Sequence, residues 1–214
     1  MKRIFEKYGK VNVVISIICI CVLILNSIFV DTNVLKQLSD NTIIAYIINF
    51  AAGCEGILGD IGSMSKNFIF VDGQWWRVFT HIYLHAGVLH MIFNVFALLF
   101  AGKIVEKKVG SLQYAILFNV IAIVNALILC FVFPDSISVG ASAGIFGMIG
   151  ILCTLIITKD NDCKNNLKKG EKIYLIIFSV LSLILGFESF ITHLLAFVIG
   201  FFIGFILKKY CCNL

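Results

Sequence analysis

Apolar runs long enough to cross a lipid bilayer fill most of this chain. Crossing the hydrocarbon core takes about 20 consecutive apolar residues. Six runs approach that length, and they cover residues 11–30, 88–105, 113–133, 141–158, 172–187 and 191–208. Of the 214 residues, 60% are hydrophobic and 14% are charged, which is more apolar surface than a soluble domain of this size can bury. The sequence therefore predicts an all-α membrane protein, a bundle of six transmembrane helices.

One membrane domain accounts for nearly the whole sequence. We expect a cytoplasmic N-terminal tail at 1–10, a membrane domain at 11–209 and a cytoplasmic C-terminal tail at 210–214. A long outer loop, 31–80, separates the first two spans. Its apolar stretch 43–53 is too short to cross the bilayer and is predicted to lie at the interface. The first run is too long for a removable signal peptide and lacks a small-residue cleavage site.

The basic residues predict the orientation in the membrane. They cluster in 2–10, 103–108, 159–172 and 208–209, whereas the intervening loops are mainly acidic. The positive-inside rule therefore places both termini in the cytoplasm. The net charge of +5 reflects this topology, and no basic patch interleaved with aromatic residues indicates nucleic-acid binding. The short tails favour a bacterial plasma membrane.

A serine and a histidine open two spans that run in the same direction. Ser142 begins the fourth apolar run and His193 begins the sixth, so both are expected at one depth below the outer surface. The other three histidines also fall at the outer end of the bundle. A serine beside a histidine is the minimum equipment for nucleophilic hydrolysis, and ionisable groups inside spans are candidates for function.

Small residues around Ser142 and after His193 favour close packing of the two helices. The segment 140–147 is rich in glycine and alanine, and Gly200 and Gly204 form a second small-residue face. Close packing brings Ser142 within reach of His193. The alternative is a plain packing face, with the serine bonded to a backbone carbonyl one turn earlier and the histidine buried against a carbonyl.

We expect a serine–histidine pair without an orienting carboxylate. The six runs contain no aspartate, which also excludes an aspartyl protease, and Glu188 lies in the loop before the last run. Packing would have to hold the imidazole of His193. Phe146, one helical turn after Ser142, is the predicted stacking surface.

His90 and Asn94 supply hydrogen-bond donors for a developing oxyanion. They are four residues apart, so they share one helix face, and the backbone N–H of Ser142 can join them. The alternatives are a structural helix–helix hydrogen bond or a zinc site that includes His81 and His85. No His-Glu-x-x-His motif and no acidic third ligand accompany these histidines, so we predict no metal and no cofactor.

Several motifs together resemble the rhomboid family. Gly73-Gln-Trp-Trp-Arg-Val-Phe-Thr-His81 resembles its Trp-Arg loop motif, here Trp76 and Arg77. His90-x-x-x-Asn94 and Gly140-x-Ser142 resemble two further motifs. Gly102-Lys-Ile-Val-Glu106 followed by Gly110 is similar to the end of the family's second span, and His193 with Gly200 and Gly204 is similar to its sixth.

The resemblance, which covers about residues 73–205, implies a six-helix intramembrane serine protease. It implies that Ser142 attacks the scissile carbonyl and that His193 acts as base and then as acid. His90, Asn94 and the Ser142 amide would hold the oxyanion. Gly140, Phe146, Trp76 and Arg77 would support the site, span five would act as a lateral gate, and the substrates would be single-span membrane proteins.

The sequence departs from the family pattern at two positions, and two other functions remain as alternatives. Ala196 stands where glycine is usual, and Phe146 where tyrosine is often found. One rival is a catalytically silent rhomboid-like factor that binds membrane proteins for quality control. The other is a small transporter or channel, against which the lack of an internal repeat argues. The sequence predicts no particular oligomeric state.

Overall fold

The computed structural model describes residues 2–29, 39, 41–49, 57–158 and 166–211. Eleven α-helices in these ranges are labelled in chain order: α1 Lys2–Tyr8, α2 Lys10–Ile28, α3 Thr42–Ile48, α4 Ile57–Gly62, α5 Lys66–Phe70, α6 Arg77–Thr80, α7 Val88–Val109, α8 Ser111–Val132, α9 Ser142–Ile157, α10 Lys169–Ile184 and α11 Phe187–Cys211. A short 3-10 helix, His81–Tyr83, follows α6. The predicted all-α class is confirmed for the described part of the chain.

Four of these helices are long and apolar enough to cross a membrane by themselves. They are α2, α7, α8 and α11, with the apolar stretch of α11 ending at Lys209. Helices α9 and α10 fall in the remaining two predicted runs and have 16 residues each. Each of the six predicted runs therefore contains a helix, although two of the helices are shorter than the rest.

Helix α9 forms the centre of the bundle. Twelve of its 16 residues are buried, on every side of the helix. A helix that is apolar all round must be enclosed by other helices or by lipid, and α9 is enclosed by helices. The surrounding helices expose apolar side chains such as Phe131, Ile176 and Phe202 on their outer surfaces, as helices bordered by lipid do. The fold thus holds the start of α9, and Ser142 with it, inside the protein.

Glycines bring the backbones of α9 and α11 into direct contact. A Cβ on Gly200 would lie 2.0 Å from the carbonyl oxygen of Gly147, and a Cβ on Gly150 would lie 2.2 Å from that of Phe197. The extra methyl of Ala196 is fully buried in the main hydrophobic core. Alanine at 196 is therefore compatible with close packing, because glycines at the neighbouring turns make the nearest backbone contacts.

A buried carboxylate joins the N-terminal helices to the bundle. Glu106, in the last turns of α7, accepts hydrogen bonds from the backbone N–H groups of Val11 and Asn12 at 3.0 and 2.9 Å. The hydroxyl of Ser111 donates to the same carboxylate at 2.6 Å. Helix N-termini present unpaired N–H groups and a partial positive charge, so an anion there is favourable. The predicted N-terminal tail thus contains helix α1, which leads directly into this contact.

The outer loop is built from short helices. Helices α3 to α6 lie within the predicted loop 31–80, while residues 30–38, 40 and 50–56 lie outside the described residues. The backbone of Met64 pairs with that of Ser138, with N–H to carbonyl distances of 3.0 and 2.7 Å. This pairing attaches the loop to the segment just before α9.

Candidate active site

A cavity of about 620 Å³ opens among the ends of five helices. Each of these helices, α7 to α11 in chain order, contributes at least one polar residue to its lining: Asn94, Asn125, Ser142, Ser182 and His193. Residues distant in sequence thus meet around one cavity.

Ser142 is the first residue of α9, directly after the N-cap residue Ala141. Its backbone N–H is one of the four at a helix start that have no partner within the helix, and the helix dipole is positive there. The side chain is half-buried and lines the cavity. Its hydroxyl makes no hydrogen bond to any residue that the structure describes, His193 included, so the structure places the two side chains in one cavity lining without a direct bond between them.

Gly140 shapes the approach to Ser142. Its φ of +120° is a conformation that residues with a side chain rarely adopt. A Cβ at this position would also lie 3.0 Å from Cε1 of His90. The backbone N–H of Gly140 donates to the carbonyl of His81 at 2.8 Å. The glycine of the Gly-x-Ser motif is therefore needed because it leaves room for His90 against the loop before α9.

The imidazole of His193 lies flat against the ring of Phe146. Their centroids are 4.4 Å apart and their planes differ by 14°, and Phe146 in turn stacks on Phe178 of α10. Nδ1 of His193 lies 3.2 Å from the carbonyl oxygen of Ser182 and 3.3 Å from Oγ of Ser189. The catalytic interpretation of the sequence assigns the holding of this ring to packing alone, whereas the carbonyl contact is the one expected under the packing alternative. The Ser189 hydroxyl was missed by both.

Glu188, the acid nearest to His193 in sequence, is directed elsewhere. It is exposed, and its carboxylate accepts a hydrogen bond from the hydroxyl of Ser136. The groups bonded to Nδ1 of His193 are thus a carbonyl and a hydroxyl, both uncharged.

His90 and Asn94 line the same cavity from α7. The rings of His90 and His85 meet edge to face, with centroids 5.1 Å apart. The amide group of Asn94 is 1% exposed, and neither its nitrogen nor its oxygen has a hydrogen-bond partner in the described structure. A buried amide without partners is costly, so a ligand or water in the cavity is expected to satisfy it.

Asn125 on α8 is a second unpaired amide in the lining, and sequence reasoning missed it. Its side chain is 1% exposed, and its nitrogen and oxygen find no partner in the described ranges. The signal that was available is its position as a polar residue inside an apolar run.

Trp76 and Arg77 organise the outer loop and do not line the cavity. The indole N–H of Trp76 donates to the carbonyl of Ile61 at 2.8 Å. The guanidinium of Arg77 donates to the carbonyls of Ser63 and Asp60 at 2.6 and 2.7 Å. Arg77 is therefore an anchor for loop carbonyls.

His81 links this loop to the site. Its Nδ1 lies 2.9 Å from the carbonyl oxygen of Arg77, and its own carbonyl accepts the N–H of Gly140. Burial lowers the pKa of His81 from its ordinary value of 6.5 to about 4, although hydrogen bonds from the ring to the backbone at Arg77 and Val78 oppose this effect. The ring is therefore neutral in the fold at physiological pH.

The neutral His81 predicts a loss of stability in acid. As the pH falls below 6.5, the unfolded chain binds a proton that the fold resists until about pH 4. Stability is therefore complete above pH 6.5 and declines toward pH 4, by about 3 kcal/mol at most from this group. Thermal unfolding in detergent across this range should show a smaller decline for His81→Asn, which keeps a donor near Nδ1. Parallel declines in the two proteins would refute this role.

No cluster of three or more histidine, cysteine, aspartate or glutamate side chains suited to a metal occurs in the described ranges. His81 bonds to a backbone carbonyl and His85 packs on His90, so the zinc alternative gains no support from their geometry.

Comparisons with known proteins identify the family. Residues 72–210 match the Rhomboid domain family. RHOMBOID-like protein 5 of Arabidopsis thaliana is 30% identical over 155 residues, which are 70% of this chain and 49% of that protein. RHOMBOID-like protein 7 of the same plant is 29% identical over 155 residues, 70% of this chain and 48% of that protein.

A bacterial relative carries the name of a protease. Rhomboid protease GluP of Bacillus subtilis (strain 168) is 39% identical over 87 residues, 41% of this chain and 17% of that protein. The chain thus spans about half, or less, of the length of these three relatives. The domain match covers well over half of the chain itself, and the apolar helices are those of an integral membrane protein. The chain belongs to the rhomboid family.

Proposed function

We propose that this protein is an intramembrane serine protease that uses Ser142 and His193 to hydrolyse single-span membrane proteins near the extracytoplasmic face. In this proposal the bundle crosses the membrane six times, α9 and α10 included, and both termini are cytoplasmic. A bacterial plasma membrane is its expected location, and lipid surrounds the bundle. The reaction needs no cofactor and no metal.

Ser142 is the proposed nucleophile and His193 the proposed base. As Oγ of Ser142 bonds to the scissile carbonyl carbon, its proton passes to Nε2 of His193. The same proton is then delivered to the leaving amine nitrogen as the C–N bond breaks. Water next attacks the acyl-enzyme, with His193 again accepting and returning a proton, and Ser142 is restored.

The oxyanion is assigned to donors at the start of α9 and on α7. The backbone N–H of Ser142 lacks a partner within its helix, and the Asn94 amide is buried and unpaired in the described structure and belongs to the same cavity lining. His90 is the third donor. Donors fixed before the reaction stabilise developing charge strongly, because they need not reorganise when it appears.

One observation carries the proposal more than any other: Ser142 and the ring of His193 face the same cavity, on two helices whose backbones touch. The stack of His193 on Phe146 supports it, because that stack sets the plane of the ring. Helix α10, whose outer surface is largely exposed, is the proposed lateral gate for substrate.

The alternative function is a catalytically silent member of the family that binds membrane proteins for quality control. Retention of both Ser142 and His193 in an open cavity favours the protease. A fluorophosphonate probe distinguishes the two functions, because it bonds covalently only to an activated serine. We expect labelling of Ser142 in detergent-solubilised protein, located by peptide mass spectrometry, and no labelling of Ser142→Ala. Absence of any Ser142 adduct would support the silent factor.

Asn94→Ala is expected to slow substrate cleavage by about 10-fold to 1,000-fold, as for other single oxyanion donors. Folding should be intact, because the amide makes no hydrogen bond within the described structure. Asn119→Ala is the matched control. Its amide bonds to Tyr83 and to the carbonyl of Ala115, outside the cavity lining. Equal rates for Asn94→Ala and wild type would assign Asn94 to packing.

A further inference from the structure

The turn between α10 and α11 places a backbone carbonyl beside the ring of His193. Helix α10 ends at Ile184 and α11 begins at Phe187, with Gly186 between them at a φ of +146°. This short connection folds α11 back onto α10. His193, in the second turn of α11, therefore lies against Ser182 in the last turn of α10.

The carbonyl of Ser182 is available because of where α10 ends. The last four carbonyls of an α-helix have no partner within the helix, and Ser182 is one of these four residues. The oxygen of this carbonyl accepts a hydrogen bond from the hydroxyl of Ser189 at 3.1 Å. It also lies 3.2 Å from Nδ1 of His193. The hydroxyl oxygen of Ser189 itself lies 3.3 Å from the same nitrogen.

This geometry selects one tautomer of the imidazole. A carbonyl oxygen can only accept, so Nδ1 must carry the hydrogen. The hydroxyl of Ser189 donates its hydrogen bond to the Ser182 carbonyl, so the hydroxyl oxygen of Ser189 also faces Nδ1 as an acceptor. The hydrogen bond made at one ring nitrogen determines the state of the other, which leaves the lone pair on Nε2.

We propose that Ser189 and the backbone carbonyl of Ser182 together form the positioning element for His193, in place of the carboxylate of a catalytic triad. This inference rests on the proposed function, which needs the lone pair at Nε2 to receive the Ser142 proton. The carbonyl lies at the negative end of the α10 dipole, so it also favours the imidazolium that forms during the reaction. Ser189 contacts both the carbonyl and the ring, and so fixes the position of one relative to the other.

A consequence is that the base depends on α10, the proposed gate helix. At its cytoplasmic end α10 is fixed by an ion pair between Glu171 and Lys103, 2.7 Å apart and largely buried. Its outer end reaches the site through Phe178 on Phe146 and through the Ser182 carbonyl. Outward movement of that end would take the Ser182 carbonyl away from Nδ1 and leave the Ser189 hydroxyl of α11 beside it, so His193 is fully oriented only while α10 lies closed.

The test compares two substitutions of Ser189 with a matched control. Ser189→Ala removes the hydroxyl, Ser189→Thr keeps it, and Ser16→Ala removes another buried helix hydroxyl that bonds to a backbone carbonyl, at Asn12. For cleavage of a single-span substrate, we expect Ser189→Ala to lower kcat by about 5-fold to 10-fold with KM unchanged, the effect of one hydrogen bond. Ser189→Thr and Ser16→Ala should retain the wild-type kcat.

Nitrogen NMR of protein labelled at the histidine rings reads the tautomer directly. The His193 signals are those missing from His193→Gln. We expect wild type to hold the hydrogen at Nδ1. Ser189→Ala should populate the Nε2–H form in part, because Nδ1 then keeps the Ser182 carbonyl but loses the Ser189 oxygen, the other acceptor in the described structure. A merely structural serine would not change the tautomer. An unchanged kcat and an unchanged tautomer in Ser189→Ala would overturn the inference. If wild type cleaves no better than Ser142→Ala, the proposed protease fails, and the NMR result alone then decides the positioning role.

Discussion

His193→Ala is expected to reduce the rate of substrate cleavage by at least about 1,000-fold. The serine and its base act as a unit, so the loss of the base removes most of the catalysis. Without an imidazole at this position, the proposed base for the proton of Ser142 is lost. The oxyanion donors at the start of α9 and on α7 remain, so a small residual rate should persist. Reaction of Ser142 with a fluorophosphonate should fall in parallel.

His193→Gln is the control for the loss of side-chain volume in His193→Ala. Glutamine fills much of the space beside Phe146 and can donate to the Ser182 carbonyl, but it cannot act as a base. Both variants should unfold near the wild-type temperature, with His193→Gln the closer of the two. If His193→Gln cleaved substrate at the wild-type rate, the assigned base would be wrong even though the fold was intact.

Gly200→Ala is expected to destabilise the fold more than the addition of a methyl group at any other described glycine of the bundle. The new Cβ would meet the carbonyl oxygen of Gly147 at 2.0 Å, and that oxygen belongs to a helix backbone that cannot rotate away. Helices α9 and α11 must then separate, which we expect to cost about 3 kcal/mol of unfolding free energy, the upper end of the usual range for overpacking. The shift also moves His193 relative to Ser142, and a displacement of about 1 Å can lower the rate about 100-fold.

Gly170→Ala is the matched control for this prediction. Gly170 lies in the first turn of α10, and a Cβ there would meet no atom within 4 Å. Alanine is a better helix former than glycine by about 1 kcal/mol, so this variant should be as stable as wild type or slightly more stable. Thermal unfolding and cleavage rates of both variants check the pair. Equal stability of Gly200→Ala and Gly170→Ala would contradict the close contact of the two helices.

Much of the architecture follows from patterns that are local in the sequence. Six apolar runs each contain a helix, because helices satisfy all backbone hydrogen bonds internally and lipid demands this. The small residues of 140–147, with Gly200 and Gly204, predicted the tight pairing of α9 with α11. The spacing of His90 and Asn94 predicted one face, and both residues line the cavity.

The features that the sequence did not reveal depend on tertiary contacts. The carbonyl of Ser182 carries no signature in its side chain, and it meets His193 only because the turn at Gly186 reverses the chain. The role of Glu106 at the start of α2 likewise joins residues more than 90 positions apart. Residue type and spacing cannot encode such contacts, whereas the serine four residues before His193 was a readable signal that went unused.

Cleavage of a purified single-span membrane protein in proteoliposomes tests the central claim most directly. Wild type and Ser142→Ala should be reconstituted at equal amounts and the products identified by mass spectrometry. We predict that wild type cuts the substrate near its extracytoplasmic membrane boundary and that Ser142→Ala leaves it intact. Equal cleavage by the two proteins, or none by either across a panel of such substrates, would contradict the assignment of this site as a serine protease.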